Sequence, residues 1–478
     1  MRIPGAVGPS YLLSTVPFEA QRTINFYLEP SELQTGKDGS IAAMPSRPGL
    51  TKELTLPLSP VRGMWRVSST GAVYAVGGNS LYSISSSMVA TKVGTLDTDS
   101  GSVSMSDNGV QLIVVDGIFG YIVTLATGAF ARISDPAFYS SKKVVFIDGY
   151  FELIRPDTGQ FYRSNQYDGF TYDPLQFLTA EASPDVNVGL MTYRNQLVVF
   201  GERTTEFFYD SGDVSTFTKI QGALIEHGCA AALSPAKDGD TLLWLGQDEY
   251  GQGVVYRAVG YQAARASNYG VELAIQGYGD ISDATAFMFQ VRGHSFYALN
   301  FTNAATTWVY DVSLGQWVEW SSIASDGSWG RWRANTHVFA FGKHLVGDFE
   351  NGKIYSLDFS NFTDDGAILP RRRRFPHVSA NLKRVIHSKF QIDARLGTGT
   401  DGTNQGQQPT MMLRYSDDGG ISWSSEKWRP IGRIGQNLSR CIWRSLGMSR
   451  NRVYEITVTD PVDVALIGAD LDAITAAS

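Results

Sequence analysis

The chain has 478 residues, 43% of them hydrophobic, so core size is not limiting and two or three domains are expected. A net charge of −7 argues against a sequence-reading nucleic-acid binder, whose affinity rests on clustered Lys and Arg. Two cysteines, Cys229 and Cys441, exclude a disulfide-dense secreted scaffold and fit synthesis in a reducing compartment, while 49 glycines and 12% aromatic residues point to short strands joined by tight turns.

Met1 to Gly8 lacks the apolar stretch of a signal peptide, and no window reaches the length of a membrane span, so a soluble, cytoplasmically made chain without membrane insertion is expected. Residues 1–60 are rich in Pro and Gly and close on Pro45-Ser46-Arg47-Pro48-Gly49-Leu50, which reads as an N-terminal arm or an incomplete strand layer, with packing against the C-terminal domain as one option. From Val61 a hairpin pattern recurs. Its first copy is Gly71 to Ile84 around Gly77-Gly78-Asn79, followed by Gln111 to Leu125 around Asp116-Gly117, Lys143 to Tyr162 around Asp148-Gly149, and Leu190 to Tyr209 around Arg194-Asn195. Thr241 to Val259, Gly293 to Trp320 and Thr336 to Leu357 extend the series to about seven units.

Units of this length, irregularly spaced, favour a β-propeller of about six or seven blades over residues 61–364, since each sheet buries its faces against its neighbours. A pair of β-sandwiches is the competing arrangement. Composition changes near Asp364, where Pro370 introduces four arginines, Arg371, Arg372, Arg373 and Arg374. Residues 365–478 then read as a small β-sandwich or meander with strands at Lys389–Leu396, Thr410–Tyr415, Arg440–Ser445 and Arg452–Val458, and with a polar, mobile stretch from Gly397 to Gln408. The fold class is therefore mainly β.

Chemical motifs are few. Ser416-Asp417-Asp418-Gly419-Gly420-Ile421-Ser422-Trp423 resembles an Asp-box, in which Ser416, Asp418, Gly420 and Trp423 lock a hairpin: Asp418 accepts backbone N–H bonds, Gly420 supplies positive φ, and Trp423 covers the turn. Sialidases repeat such boxes around their propellers, so a carbohydrate-binding or glycan-hydrolysing propeller is the alternative reading; Glu202, Glu206 and Asp210 are its carboxylate candidates. Gly397 to Gly402 has the letters of a dinucleotide fingerprint but no helix-forming segment after it, and reads as a loop. His227-Gly228-Cys229 has no second ligand pair at zinc spacing. No nucleophile elbow or phosphate loop occurs, so no catalytic, metal or cofactor site is expected. Arg371 to Arg374 offers guanidinium forks to a neighbouring subunit's carboxylates or to DNA phosphates, or is a solvated boundary loop. Trp308, Tyr310, Trp317, Trp320, Trp329 and Trp332, at strand spacing, form blade core or a contact platform.

Both ends of the chain resemble the packaged-DNA stabilisation family of short-tailed phages, the tail hub or nozzle proteins of Salmonella-type podoviruses. The N-terminal resemblance rests on Gly8-Pro9-Ser10-Tyr11, Ala20 to Pro30 with its Arg22-Thr23-Ile24-Asn25-Phe26-Tyr27 core, Gly36-Lys37, Pro45 to Leu50 and Val61-Arg62-Gly63-Met64. Leu28 in Tyr27-Leu28-Glu29 departs from the proline of the pattern. The C-terminal resemblance runs from Tyr415 to Gly420 through Ile431-Gly432, Trp443 to Gly447 and Ser449-Arg450 to Asp460-Pro461-Val462. Together these motifs cover about a third of the chain. The resemblance implies a virion-tail protein of a bacterial host, not an enzyme. It implies a hexameric ring below the head-to-tail adaptor, around the DNA exit channel, that holds a tail needle or plug and tail fibres or tailspikes. Double-stranded DNA would pass through the lumen without specific contact. A peptide-binding cellular propeller scaffold is a third reading.

Overall fold

Alternating segments become hairpins here because the residues between them accept positive φ: Gly78, Gly149 preceded by Asp148, and Arg194 with Asn195 all sit there. The computed structural model describes every residue except 1, 16–18, 32–41, 181–183, 213–216, 248–249, 382, 402–404 and 477–478. Five blades are four-stranded antiparallel sheets in sequential order, spanning residues 61–95, 104–132, 144–179, 187–225 and 236–265. Blade 6 occupies 285–323 and blade 7 starts at Ala334. The first strands of the blades, Val61–Arg66, Ser104–Asp107, Val144–Ile147, Asn187–Tyr193, Ala236–Asp238, Thr285–Val291 and Ala334–Ala340, line the axis, neighbours in close contact except between Asn187–Tyr193 and Ala236–Asp238, which stand further apart.

The core is divided between these blades rather than centred. One apolar cluster joins blades 1 and 2 through Leu112, Val114 and Tyr121, and comparable clusters fill each following interface. The last, with Val61, Met64, Leu345 and Ile354, joins blade 7 back to blade 1 and closes the ring. Seven blades are therefore present, at the upper end of the sequence estimate.

Closure depends on the arm. Gly49–Thr55 pairs antiparallel with Lys353–Asp358 and forms the fourth strand of blade 7, so the arm expected to run to residue 60 ends before Gly49. The short hairpin Thr363–Asp364 and Ala367–Ile368 extends the same sheet through an Asp364–Leu50 bridge, which moves the propeller's end past residue 364 to Ile368.

The C-terminal domain is a sandwich of two sheets. One orders Glu29–Pro30, Ala42–Pro45, Ala465–Thr475, Val385–Ala394 and Cys441–Arg444. The other orders Ala20–Ile24, Arg371–Arg374, Asn451–Val458, Thr410–Ser416 and Lys427–Pro430, and it continues through Ala20–Ile24 into Gln316–Ile323 of blade 6. Phe390, Met411, Leu413, Trp443, Tyr454 and Ile456 fill the space between them. Strands here that escaped the sequence reading include Arg371–Arg374, Lys427–Pro430 and Ala465–Thr475. Gly397 to Gln408 holds no strand among its described residues, and residues 402–404 lie outside them.

Candidate functional site: the arginine junction of propeller and sandwich

The run Arg371–Arg374 is neither a loop nor a uniformly free patch. It is a central strand between Ala20–Ile24 and Asn451–Val458, and strand alternation divides its side chains between two faces. Arg371 and Arg373 are fully buried, so the neighbour-subunit or DNA contact considered for all four arginines fails for these two. Arg373 donates to the carbonyls of Ala6 (3.0 Å) and Pro9 (3.0 Å) and to Thr23 Oγ1 (2.8 Å). Arg371 donates to the carbonyls of Val462 (2.7 Å) and Asp460. Burial pushes the Arg373 guanidinium down to about 9 and that of Arg371 to about 10, so both remain cations at neutral pH. They tie the N-terminal loop and a C-terminal loop to one strand.

Arg372 and Arg374 point to the other face, where Glu455 is fully buried. Arg372 Nε lies 3.3 Å and Arg374 Nε 2.9 Å from that carboxylate, and Arg414 from the next strand adds a contact of 2.5 Å. Arg22 forks onto Glu319 of blade 6 at 2.9 and 2.6 Å, and the carboxylate raises the guanidinium above its ordinary value. Charged groups of both domains thus occupy one continuous sheet face. The signal for Glu455 was a lone carboxylate in the apolar run Val453-Tyr454-Glu455-Ile456, and Glu319 stands likewise in Trp317-Val318-Glu319-Trp320; Arg22 falls in the N-terminal motif, while Arg414 gave none until its strand was paired.

A second node lies behind it. Arg47, fully buried, forks onto Asp364 at 3.0 and 2.7 Å, donates Nε to Asn25 at 2.8 Å, and donates to the carbonyls of Pro48 and Ser321. One side chain therefore fastens the arm to blades 6 and 7.

The Asp-box closes the hairpin beside the junction. Asp418 accepts from the backbone of Ile421 (3.0 Å) and Ser422 (2.9 Å) and from Ser416 Oγ (2.6 Å), and Ser416 Oγ accepts from Gly420 N at 2.7 Å. Those donors, the Ser416 hydroxyl first, hold the Asp418 carboxyl below its ordinary range. Gly420 has φ 103°, and Trp423 Nε1 donates to its carbonyl at 3.1 Å. The Trp423 ring then lies 4.7 Å from the guanidinium carbons of Arg374 and Arg414. The box shapes the turn and supplies an aromatic wall for the arginines.

Glu202, Glu206 and Asp210 do not converge: Glu202 lies at an axial cavity, Glu206 pairs with Lys219 at 2.7 Å, and Asp210 accepts from Gly212 N in a turn. His227 stacks on Tyr256, and the Cys229 thiol is buried and pushed up to about 11. Trp308, Tyr310, Trp317, Trp320 and Trp332 are buried between blades, while Trp329 is half-buried above Arg372, 4.3 Å from its guanidinium carbon.

Fold and junction define a class: a seven-bladed β-propeller joined through shared strands to a β-sandwich, with its clustered charges engaged in holding the two together. The family described as Bacteriophage P22 Gp10 covers both parts, its beta-propeller matching residues 1–361 and its beta-sandwich residues 371–473. The chain belongs to that phage tail hub family. It is 25% identical over 464 residues to the tail hub protein gp10 of Salmonella phage P22, covering 93% of this chain and 94% of that protein. Solved structures similar to this chain include the extracellular domain of a putative hybrid two-component system of B. thetaiotaomicron, with 9% identity, 65% of this chain, 40% of that one and a TM-score of 0.44. The N-terminal domain of Nup159 is another, with 10% identity, 70% of this chain, 98% of that one and a TM-score of 0.42.

Proposed function

We propose that this chain is a structural tail-hub subunit that assembles into a ring around the DNA exit channel of a short-tailed phage and retains the packaged genome until ejection. The observation that carries the reading is the match to the P22 tail hub protein across almost the whole of both chains. Further parts of the proposal are a ring of six, attachment below the head-to-tail adaptor, and anchoring of a tail needle or plug and of fibres or tailspikes. Closed cyclic symmetry gives each subunit two different contact faces, as a chain with two dissimilar domains can supply. The net charge of −7 suits a lumen through which DNA slides, because little counterion release accompanies contact.

Electron microscopy of the purified protein, alone and with virions lacking it, tests this. Rings that bind such particles and restore DNA retention are expected. Monomers that neither assemble nor attach overturn the reading.

A further inference from the structure

The outward face of the junction sheet carries an unbalanced charge. Arg22, Arg372, Arg374 and Arg414 stand against two carboxylates, Glu319 and Glu455, which leaves an excess of two positive charges on a partly covered surface. The geometry keeps that excess presentable. Arg372 and Arg374 turn their Nε groups to Glu455, while among the described residues their Nη groups donate no hydrogen bond. Their side chains are 17% and 12% exposed, and those of Arg22 and Arg414 are 36% and 27% exposed. Trp329 lies against the guanidinium of Arg372 and Trp423 against that of Arg374, one ring for each fork, which restrains both before any partner arrives.

We propose that this face docks a carboxylate-rich segment of a partner protein, received by the free edges of Arg372 and Arg374. The proposal does not rest on the tail-hub reading. Guanidinium forks pre-set in this way match carboxylates two bonds at a time. Removing the face's excess of two from the net −7 leaves the rest of the chain at about −9, which opposes the long polyanion of a DNA duplex but tolerates a short acidic segment. Six adjacent strands, from Gln316–Ile323 to Lys427–Pro430, make the face about 24 Å wide, the reach of about seven extended residues. At its far edge Trp428 lies opposite Met412 across the strands and is 57% exposed, an aromatic rim of the kind that anchors protein interfaces.

The test uses the full chain and octaglutamate as probe, followed by tryptophan fluorescence, with octalysine and a short DNA duplex as comparators. Octaglutamate is expected to bind, to weaken as salt rises, and to bind about tenfold more weakly to Arg372→Gln/Arg374→Gln, each lost charged fork being worth a sizeable part of such an interface. Affinity unchanged in the double variant overturns the proposal, as does tighter binding of the duplex than of the peptide. If that variant does not fold, Trp428→Ala replaces it, because its exposed ring is outside the ion-pair network; full retention of its octaglutamate affinity and fluorescence response counts against the face.

Discussion

At the scale of single residues, this protein places charge inside its core where different parts of the chain must meet. Arg47 and Asp364 are both withdrawn from water, and their mutual fork is what makes that tolerable. Asp364→Ala therefore leaves a buried cation without a counter-charge, and a loss of about 3–5 kcal/mol is expected in denaturant unfolding. Arg47→Met/Asp364→Leu removes both charges and should recover a substantial part of that loss. His387 gives a different signature. Its ring is fully buried, bonded to Tyr454 Oη at 2.8 Å and Ser449 Oγ at 2.9 Å, and burial, then Arg452, pushes it from an ordinary 6.5 down to about 4. As pH falls through that interval the unfolded chain gains a proton that the folded ring refuses, so stability drops between about 6.5 and about 4 and levels off below. Thermal melts across this range should show a shallower acid slope for His387→Gln than for the unmodified chain, whatever the offset between them at neutral pH.

At the scale of elements, the strand Gly49–Thr55 decides whether the propeller is a ring or an open arc. Leu50 is fully buried against blades 6 and 7, and a Cβ on Gly49 would sit 2.3 Å from the carbonyl oxygen of Asn361. Leu50→Ala should cost about 2–5 kcal/mol, and Gly49→Ala should destabilise although it adds only a methyl group, because backbone has to move. Paired chemical-denaturation curves check both. The same strand marks the limit of what the sequence disclosed. Hairpins such as Gln111 to Leu125 were legible because turn and strands lie within fifteen residues and their periodicity is local. The partner of Gly49–Thr55 is some three hundred positions away, and nothing local names it. The arginine run failed for a related reason. Four like charges in a row read as solvated until both flanking strands are known, whereas in the sheet Thr23 and the N-terminal loop receive Arg373, the Val462 and Asp460 carbonyls receive Arg371, and Glu455 receives Arg372 and Arg374. The Asp-box was legible because its bonds close within eight residues, but the stacking of Trp423 on Arg374 and Arg414 depended on strand pairing.

At the scale of the whole molecule, domain borders in sequence and in space do not coincide. The sandwich takes Ala20–Ile24 for one sheet and Ala42–Pro45 for the other from the N-terminal arm, and the chain's two ends meet there: Ile3 N donates to Ala469 O at 2.8 Å, and Arg2 bridges to Asp470. A fragment of residues 365–478 therefore exposes two strand edges and part of its core, and it should be insoluble or lack dispersed amide resonances, while the full chain unfolds in one transition by fluorescence and circular dichroism alike. That fragment alone cannot separate the loss of strands from the loss of chain continuity. A circular permutant can. Joining the ends by a linker long enough to run from the end of Ala465–Thr475 back to Arg2 beside Asp470, and opening the chain in the exposed turn at residues 126–128 of blade 2, keeps every strand while changing its order. If supply of the arm strands is what the sandwich requires, the permutant should fold with near-native stability where the fragment does not. A permutant as disordered as the fragment would show instead that the order of synthesis, arm first and sandwich last, is built into how the two domains find each other.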